Sequence, residues 1–238
     1  MRARFAALLL SPIRPLVLPP PRVCMRIEVE KKFEPPSDLA ALGHRIAELG
    51  GTMVGEKAFT DTYYDTATCT LTRRDTWLRS RDGAWELKVP IDTDTGRSGG
   101  ERTVFREVEG TAEVNAALHK HLVTELDGIQ PHAIEETLNV AGVVPFAEFT
   151  TTRTKWSLDG ASLDSDVASF GHAVMEIEVM VSEETEVAKA EALIANVAER
   201  IGVRPLGALG GKLETYIRRH APAVLEALVA EGILRPND

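Results

Sequence analysis

Residues 27–33 read Ile-Glu-Val-Glu-Lys-Lys-Phe, a run that alternates apolar and charged side chains. Side chains of a β-strand alternate between its two faces, so Glu28, Glu30 and Lys32 point to one side and the apolar residues to the other. The polar face of this predicted strand consists only of charge, and of both signs. If that face lines an enclosed cavity, the carboxylates suit a hard divalent cation and the lysine suits an anion beside it. A metal-bound phosphate compound requires that combination.

The same alternation recurs in five further segments that we predict to be strands. Each segment places two charged residues on one face. The pairs are Arg79 and Arg81, Glu86 and Lys88, Arg153 and Lys155, Asp164 and Asp166, and Glu176 and Glu178. One such pair alone is typical of an exposed strand face. Like charges on neighbouring strands destabilise a sheet unless a ligand or metal compensates them, so six such strands in one chain favour a charged cavity.

Trp77 shares its predicted strand face with Arg79 and Arg81. The shared face favours a position in the cavity, and a core position is the alternative. In the cavity, its ring would attract an organic cation by about 1–2 kcal/mol.

The predicted elements give an α+β fold that consists mainly of antiparallel strands. Eight strands that each carry one charged face cannot bury that charge in an open sandwich. A closed eight-stranded antiparallel barrel with a hydrated, charged lumen accommodates them, with amphipathic helices over its apolar outer face. The strands are predicted near 25–34, 53–64, 76–82, 84–90, 101–109, 147–157, 160–168 and 172–181, and helices near 37–49, 111–122, 132–140, 185–201, 212–219 and 222–230.

Composition narrows the class of function. The chain has 238 residues, and its net charge of −9 argues against a nucleic-acid surface, which requires a basic face. Its two cysteines, Cys24 and Cys69, lack the spacing of a zinc site or a disulfide framework. No segment approaches the roughly 20 apolar residues of a membrane span. We therefore expect a small-molecule partner and no nucleic-acid or membrane partner. The sequence is silent on oligomeric state, and a monomer is favoured.

The first 24 residues differ from the rest, since they contain four arginines and no acidic residue. We predict that residues 1–24 form a disordered extension or an organelle-targeting peptide, or precede a start at Met25. Residues 25–220 are predicted to form the barrel domain, and 221–238 a C-terminal helix and tail. The predicted location is the cytoplasm, with organelle targeting through the first 24 residues as the alternative.

These charged strands resemble the CYTH superfamily, also called the triphosphate tunnel metalloenzymes, whose hallmark Glu-x-Glu-x-Lys stands at 28–32. Four further phrases, at 61–65, 77–81, 85–88 and 170–178, resemble the branch that hydrolyses thiamine triphosphate. The resemblance runs in the same order from about residue 25 to 219. It implies an eight-stranded antiparallel tunnel and hydrolysis of thiamine triphosphate to thiamine diphosphate and phosphate, with Mg²⁺ or Mn²⁺ as the cofactor.

The resemblance also implies roles for individual residues. Lys32 and Glu30 are the implied catalytic residues, and Trp77 is implied to stack on the thiamine moiety. The general base stays open between Lys32 with a lowered pKa, a carboxylate such as Glu30, and a metal-bound water. The implied metal ligands are Glu28, Glu30, Asp164, Glu176 and Glu178, and the implied triphosphate-binding residues are Lys32, Arg79, Arg81, Lys88, Arg153, Glu176 and Lys212.

Several functions compete with this prediction. The same tunnel could serve an inorganic tripolyphosphatase or a nucleoside triphosphatase. An adenylate cyclase of the superfamily would require an adenine pocket that the sequence does not identify. A non-catalytic polyphosphate-binding module would hold the anion without turning it over.

Overall fold

The computed structural model of the chain describes residues 26–91, 102–207 and 210–236. The predicted extension at 1–24 lies outside these ranges.

Eight antiparallel strands form a closed barrel, which confirms the predicted architecture. Around the barrel the strands follow the order β1-β5-β4-β3-β2-β6-β7-β8, and β8 pairs with β1 to complete the circle. The closing register sets Glu30 opposite Glu178 and Lys32 opposite Glu176. The strands are β1 (Arg26–Phe33), β2 (Thr52–Thr66), β3 (Trp77–Arg81), β4 (Ala84–Pro90), β5 (Arg102–Glu109), β6 (Val143–Leu158), β7 (Ala161–Ala168) and β8 (His172–Val181).

Helices connect and cover the strands close to where the apolar spacing predicts them. The first helix begins at Leu39, slightly later than the predicted start near 37, because the carboxylate of Asp38 accepts the Ala41 N–H at 2.9 Å. The short helix α3 was not predicted. The helices are α1 (Leu39–Glu48), α2 (Thr111–His121), α3 (Val123–Leu126), α4 (Ile134–Val140), α5 (Val187–Ile201), α6 (Lys212–His220) and α7 (Pro222–Ala230), with 3₁₀ turns at Thr72–Arg74 and Glu184–Glu186.

Apolar layers lie outside the barrel, as the alternation predicts. Helices α1 and α5 cover one side, where Ile46 and Ile194 pack with Ile177 of β8 in one buried cluster. Helices α2 to α4 cover the other side, where Leu118 packs with Leu87 of β4. Burying these outward faces drives the charged faces of the same strands inward.

The last two helices cross one mouth of the barrel. Helix α6 contacts β6 and β8, and α7 contacts the 3₁₀ turn that precedes β3. In the barrel order β8 and β3 lie four strands apart in either direction, so a segment that touches both spans the opening. An ion pair between Arg73 and Glu231, at 2.7 Å, joins the 3₁₀ turn before β3 to the end of α7. None of the helices in the described ranges has the length and apolar content needed to cross a lipid bilayer.

Candidate active site

The barrel encloses a cavity of about 920 Å³. Although the whole chain carries a net charge of −9, the described residues that line the cavity include ten Lys or Arg against eight Glu. Basic residues are thus concentrated inside the barrel, where they suit a polyanion. The basic lining residues are Lys32, Lys57, Arg79, Arg81, Lys88, Arg153, Lys155, Lys212, Arg218 and Arg235, and the acidic ones are Glu28, Glu30, Glu86, Glu107, Glu109, Glu176, Glu178 and Glu214.

Three carboxylates converge at the seam between β1 and β8. Glu28, Glu30 and Glu178 each offer one oxygen, and these oxygens all lie within 4.8 Å of one another. Glu28 and Glu30 are almost fully buried, so their mutual repulsion is weakly screened by water. A group of close oxygen ligands fits a hard divalent cation such as Mg²⁺ or Mn²⁺.

Each carboxylate of this group is paired with a lysine. Glu28 is bound by Lys88 and Glu30 by Lys32, while Lys155 Nζ lies 3.2 Å from Glu178 Oε1. The lysines partly offset the repulsion within the group. They also place ammonium groups directly beside the candidate metal position, where a metal-bound phosphate would meet them.

The pKa of Lys32 bears on the choice of general base. Burial disfavours its charged form, but the neighbouring Glu30 and Glu176 carboxylates outweigh burial and raise the pKa of Lys32 above its ordinary value. This direction argues against Lys32 as the general base, and the choice of base stays a prediction. Burial, with Glu176 and Glu28 nearby, raises the pKa of Glu30 even though Lys32 opposes the shift.

Two other predicted metal ligands lie outside the three-carboxylate group. Glu176 accepts hydrogen bonds from Lys212 at 2.7 Å and from Arg153 at 3.1 Å, and these cations outweigh burial and hold its pKa well below the ordinary range. Asp164 is fully buried beside Arg153 and Lys155. Its Oδ1 lies 3.4 Å from Lys155 Nζ. A metal-ligand role stays a prediction for both residues.

The predicted triphosphate-binding residues all line the cavity. Arg79 donates to both oxygens of Glu86 at 2.6 Å, and Arg79, together with Lys88, lowers the pKa of Glu86 to about 2 despite its burial. Lys88 lies 2.9 Å from Glu107, whose pKa is raised to about 7 by burial and by Glu28 although Lys88 opposes the shift. Salt bridges to fixed carboxylates hold these cations in place before any substrate enters.

Lys212 enters the barrel from the first turn of α6. A Cβ at the preceding Gly211 would lie 2.5 Å from Cε of Lys32, so the start of α6 approaches the Lys32 side chain closely. This approach brings Lys212 to the same wall as Lys32.

Trp77 has both of the environments that the sequence leaves open. It lines the cavity, and it also belongs to a buried apolar cluster with Phe105 and Ile217. Its indole Nε1 donates to Asp75 Oδ1 at 2.8 Å, which fixes the ring orientation. Tyr63 lines the cavity beyond it.

Sequence reasoning missed several groups at the site. Phe59 and Asp61 share the inward parity of Tyr63 on β2, so the alternation contained a signal for them. Asp166 was recognised as a charged strand residue without a role. The segment 232–236 also lines the cavity, and no sequence pattern pointed to it.

Comparison with known proteins agrees with this geometry. Residues 26–206 match the CYTH domain family, and the chain therefore belongs to that family. Two solved structures share the fold at a TM-score of 0.52. The PH1819 protein of Pyrococcus horikoshii OT3 is 18% identical and covers 82% of this chain and 99% of its own. HpAC1 of Hippeastrum, described as having a dominant triphosphatase activity, is 16% identical. The match covers 82% of this chain and 96% of HpAC1.

Two relatives of known name narrow the family further. The protein named thiamine-triphosphatase of Homo sapiens is 36% identical over 215 residues, which cover 85% of this chain and 89% of the human one. The protein of the same name from Macaca fascicularis is 34% identical over the same shares of the two chains. Within the CYTH family, the chain thus belongs with the thiamine triphosphatases.

Proposed function

We propose that the protein hydrolyses thiamine triphosphate to thiamine diphosphate and phosphate, with Mg²⁺ as its cofactor. The observation that carries this proposal is a tunnel in which three close carboxylates stand beside a wall of lysines and arginines. The identity of 36% to a thiamine triphosphatase over most of both chains supports the same substrate.

Different residues of the tunnel would bind the metal ion and the triphosphate. A triphosphate carries about four negative charges, which preorganised cations stabilise without reorganisation. Glu28, Glu30 and Glu178 would hold the divalent ion, which supplies positive charge to the terminal phosphoryl oxygens. Asp164 and Glu176 are proposed to complete the acidic side of the site. The phosphate-binding wall consists of Lys32, Arg79, Arg81, Lys88, Arg153 and Lys212.

Glu30 is the group of this chain best suited to accept a proton from the attacking water. It lies in the carboxylate group where the terminal phosphate would bind, and a carboxylate there can take up the proton that the attacking water loses. Lys32, held as an ammonium group beside it, would stabilise charge on the transferring phosphoryl group.

Hydrolysis of thiamine triphosphate should exceed that of ATP and of inorganic tripolyphosphate by at least about tenfold in kcat/KM. The reason is Trp77, whose ring can attract a cationic thiazolium, whereas the adenine ring of ATP carries no positive charge and tripolyphosphate has no ring. Phosphate release from a panel of these three compounds, with Mg²⁺ present, measures the ratio. Equal or faster turnover of tripolyphosphate would reject the thiamine substrate and favour a tripolyphosphatase. Tight binding of every compound without turnover would favour a binding module.

Replacing Trp77 with leucine should raise KM for thiamine triphosphate by about five- to thirtyfold, the equivalent of about 1–2 kcal/mol of lost ring attraction. Leucine keeps part of the apolar contact with Phe105 and Ile217, and circular dichroism checks that the fold is retained. The inhibition constant of tripolyphosphate serves as the internal control, because tripolyphosphate does not use the ring. An equal weakening of both ligands would assign Trp77 a structural role only.

The monomeric state, the cytoplasmic location and the targeting role of residues 1–24 stay predictions.

A further inference from the structure

We infer that Asp61 and Asp166 are positioning residues, which hold the guanidinium groups of Arg81 and Arg153 in the orientation that a triphosphate requires. The inference rests on the proposed function only in taking the tunnel as a triphosphate site. Neither aspartate is among the described residues that line the cavity, so neither is expected to touch the substrate.

The two aspartates make equivalent contacts on neighbouring parts of the wall. Asp61 accepts from Nε and Nη2 of Arg81 at 2.7 and 2.9 Å, and Asp166 accepts from Nε and Nη2 of Arg153 at 2.7 and 2.6 Å. Both carboxylates are fully buried. A two-point pair fixes the plane of a guanidinium group. At Arg81 it leaves the Nη1 side outside the pair for another anion, whereas Nη1 of Arg153 is itself paired with Asp164.

The ring of one residue, Phe59, packs against the guanidinium groups of both arginines. Phe59 is buried on β2, between the strands that carry Arg81 and Arg153. Cζ of Arg81 lies 3.9 Å from the centroid of its ring, and Cζ of Arg153 lies 5.3 Å from it. Each guanidinium is therefore held by a carboxylate at one edge and by the same ring.

Each aspartate also reaches a second cation. Asp166 Oδ2 accepts from Lys212 Nζ at 2.5 Å, which links β7 to the start of α6. Asp61 Oδ2 lies 3.7 Å from Arg79 Nη1. The aspartates thus set the spacing between pairs of phosphate-binding groups, in addition to the orientation of one arginine.

If Asp61 and Asp166 acted only as counter-charges, their removal would have the opposite effect on anion binding. Removing a negative charge from the wall makes the tunnel more positive, which would strengthen the binding of a polyanion. If the aspartates act by positioning, their loss weakens binding, because a released arginine must be ordered when the anion binds.

The test is the affinity for inorganic tripolyphosphate, measured by isothermal titration calorimetry in EDTA so that no metal-dependent turnover occurs. Asp61→Asn should weaken binding by at least about tenfold. It should have a much smaller effect in the Arg81→Gln background, where only the contact of Asp61 with Arg79 remains. Unchanged or tighter binding by Asp61→Asn, or a full additional loss in the double variant, would overturn the inference.

Asp65→Asn is the matched control. Asp65 is a second buried aspartate of β2, but its carboxylate accepts the backbone N–H groups of Thr66, Leu71 and Thr72 at 2.7 to 3.0 Å. This variant should lower the melting temperature with no change in tripolyphosphate affinity. A loss of affinity equal to that of Asp61→Asn would assign both effects to general destabilisation.

Phe59→Leu keeps the test decisive if Asp61→Asn does not fold. It removes the ring beneath both guanidinium groups while keeping apolar volume, and it should weaken tripolyphosphate binding about threefold. Unchanged binding would contradict the inference. Failure of the wild-type protein to bind tripolyphosphate would instead contradict the proposed function, and a failure of thiamine specificity would leave the inference standing.

Discussion

Glu28→Gln should abolish the metal-dependent hydrolysis of thiamine triphosphate, with a loss of at least about a hundredfold in kcat/KM. Glutamine keeps the length and shape of glutamate but removes the charge from one of the three carboxylates that meet at the β1–β8 seam. The same change also removes one of the two carboxylate partners of Lys88, the other being Glu107. The remaining two carboxylates should then bind a divalent ion much more weakly.

Two measurements separate this effect from unfolding. Phosphate release should be followed as a function of Mg²⁺ concentration, and Mn²⁺ binding should be followed by electron paramagnetic resonance without substrate. Circular dichroism should show an intact barrel. Glu148→Gln makes the same chemical change at an exposed position of β6, and it should leave both measurements unchanged. Full turnover by Glu28→Gln at the Mg²⁺ concentration that saturates the wild-type enzyme would refute the metal site.

Arg153→Met should lower the free energy of unfolding by about 3–5 kcal/mol, the usual cost of leaving a buried charge without its partner. Arg153 is buried and contacts the carboxylates of Asp164, Asp166 and Glu176. Methionine fills similar volume, so the loss comes from the uncompensated charges rather than from a cavity. Urea unfolding followed by circular dichroism measures the difference.

An exposed arginine provides the comparison. Arg200 pairs with Asp159 on the outer surface, where both side chains are partly exposed, so Arg200→Met should cost no more than about 1 kcal/mol. Equal losses of unfolding free energy for the two substitutions would show that the buried ion pairs of Arg153 contribute no more to stability than a surface pair.

The pH dependence of the Arg153→Met defect has a definite sign. Burial already raises the pKa of Asp164 although Arg153 opposes the shift, and removal of the arginine would raise that pKa further. A carboxyl group with a folded-state pKa above its unfolded value adds stability at low pH and loses it as the pH rises through the folded-state pKa. The deficit of the variant should therefore be smaller in mild acid than at neutral pH.

Much of the fold followed from side-chain alternation. Because Val29 and Leu87 must leave water, Glu30 and Lys88 on the same strands had to face the interior of a closed barrel. Nearly all strand and helix positions were predicted within a few residues. The main deviations were the cap at Asp38 and the added turn of α3, which depend on local hydrogen bonds rather than on periodicity.

Alternation did not predict which charged side chains contact one another inside the tunnel. Alternation places Glu28, Glu178 and Asp164 in the lumen, but it does not say which of them lie near a common point. The register of β8 against β1 brings Glu178 to Glu30, whereas Asp164 lies against Arg153 and Lys155. The sequence pattern likewise gave no position for α6 relative to Lys32, since the two are far apart along the chain.

The amino-acid sequence alone determined a charged tunnel and the set of residues facing it, because strand geometry assigns each side chain to a face. Only the tertiary structure decided that Glu28, Glu30 and Glu178 form one group and that Asp61 and Asp166 hold arginines. Distances between strands arise from barrel closure and register, which bring together residues more than a hundred positions apart. No local pattern encodes those distances.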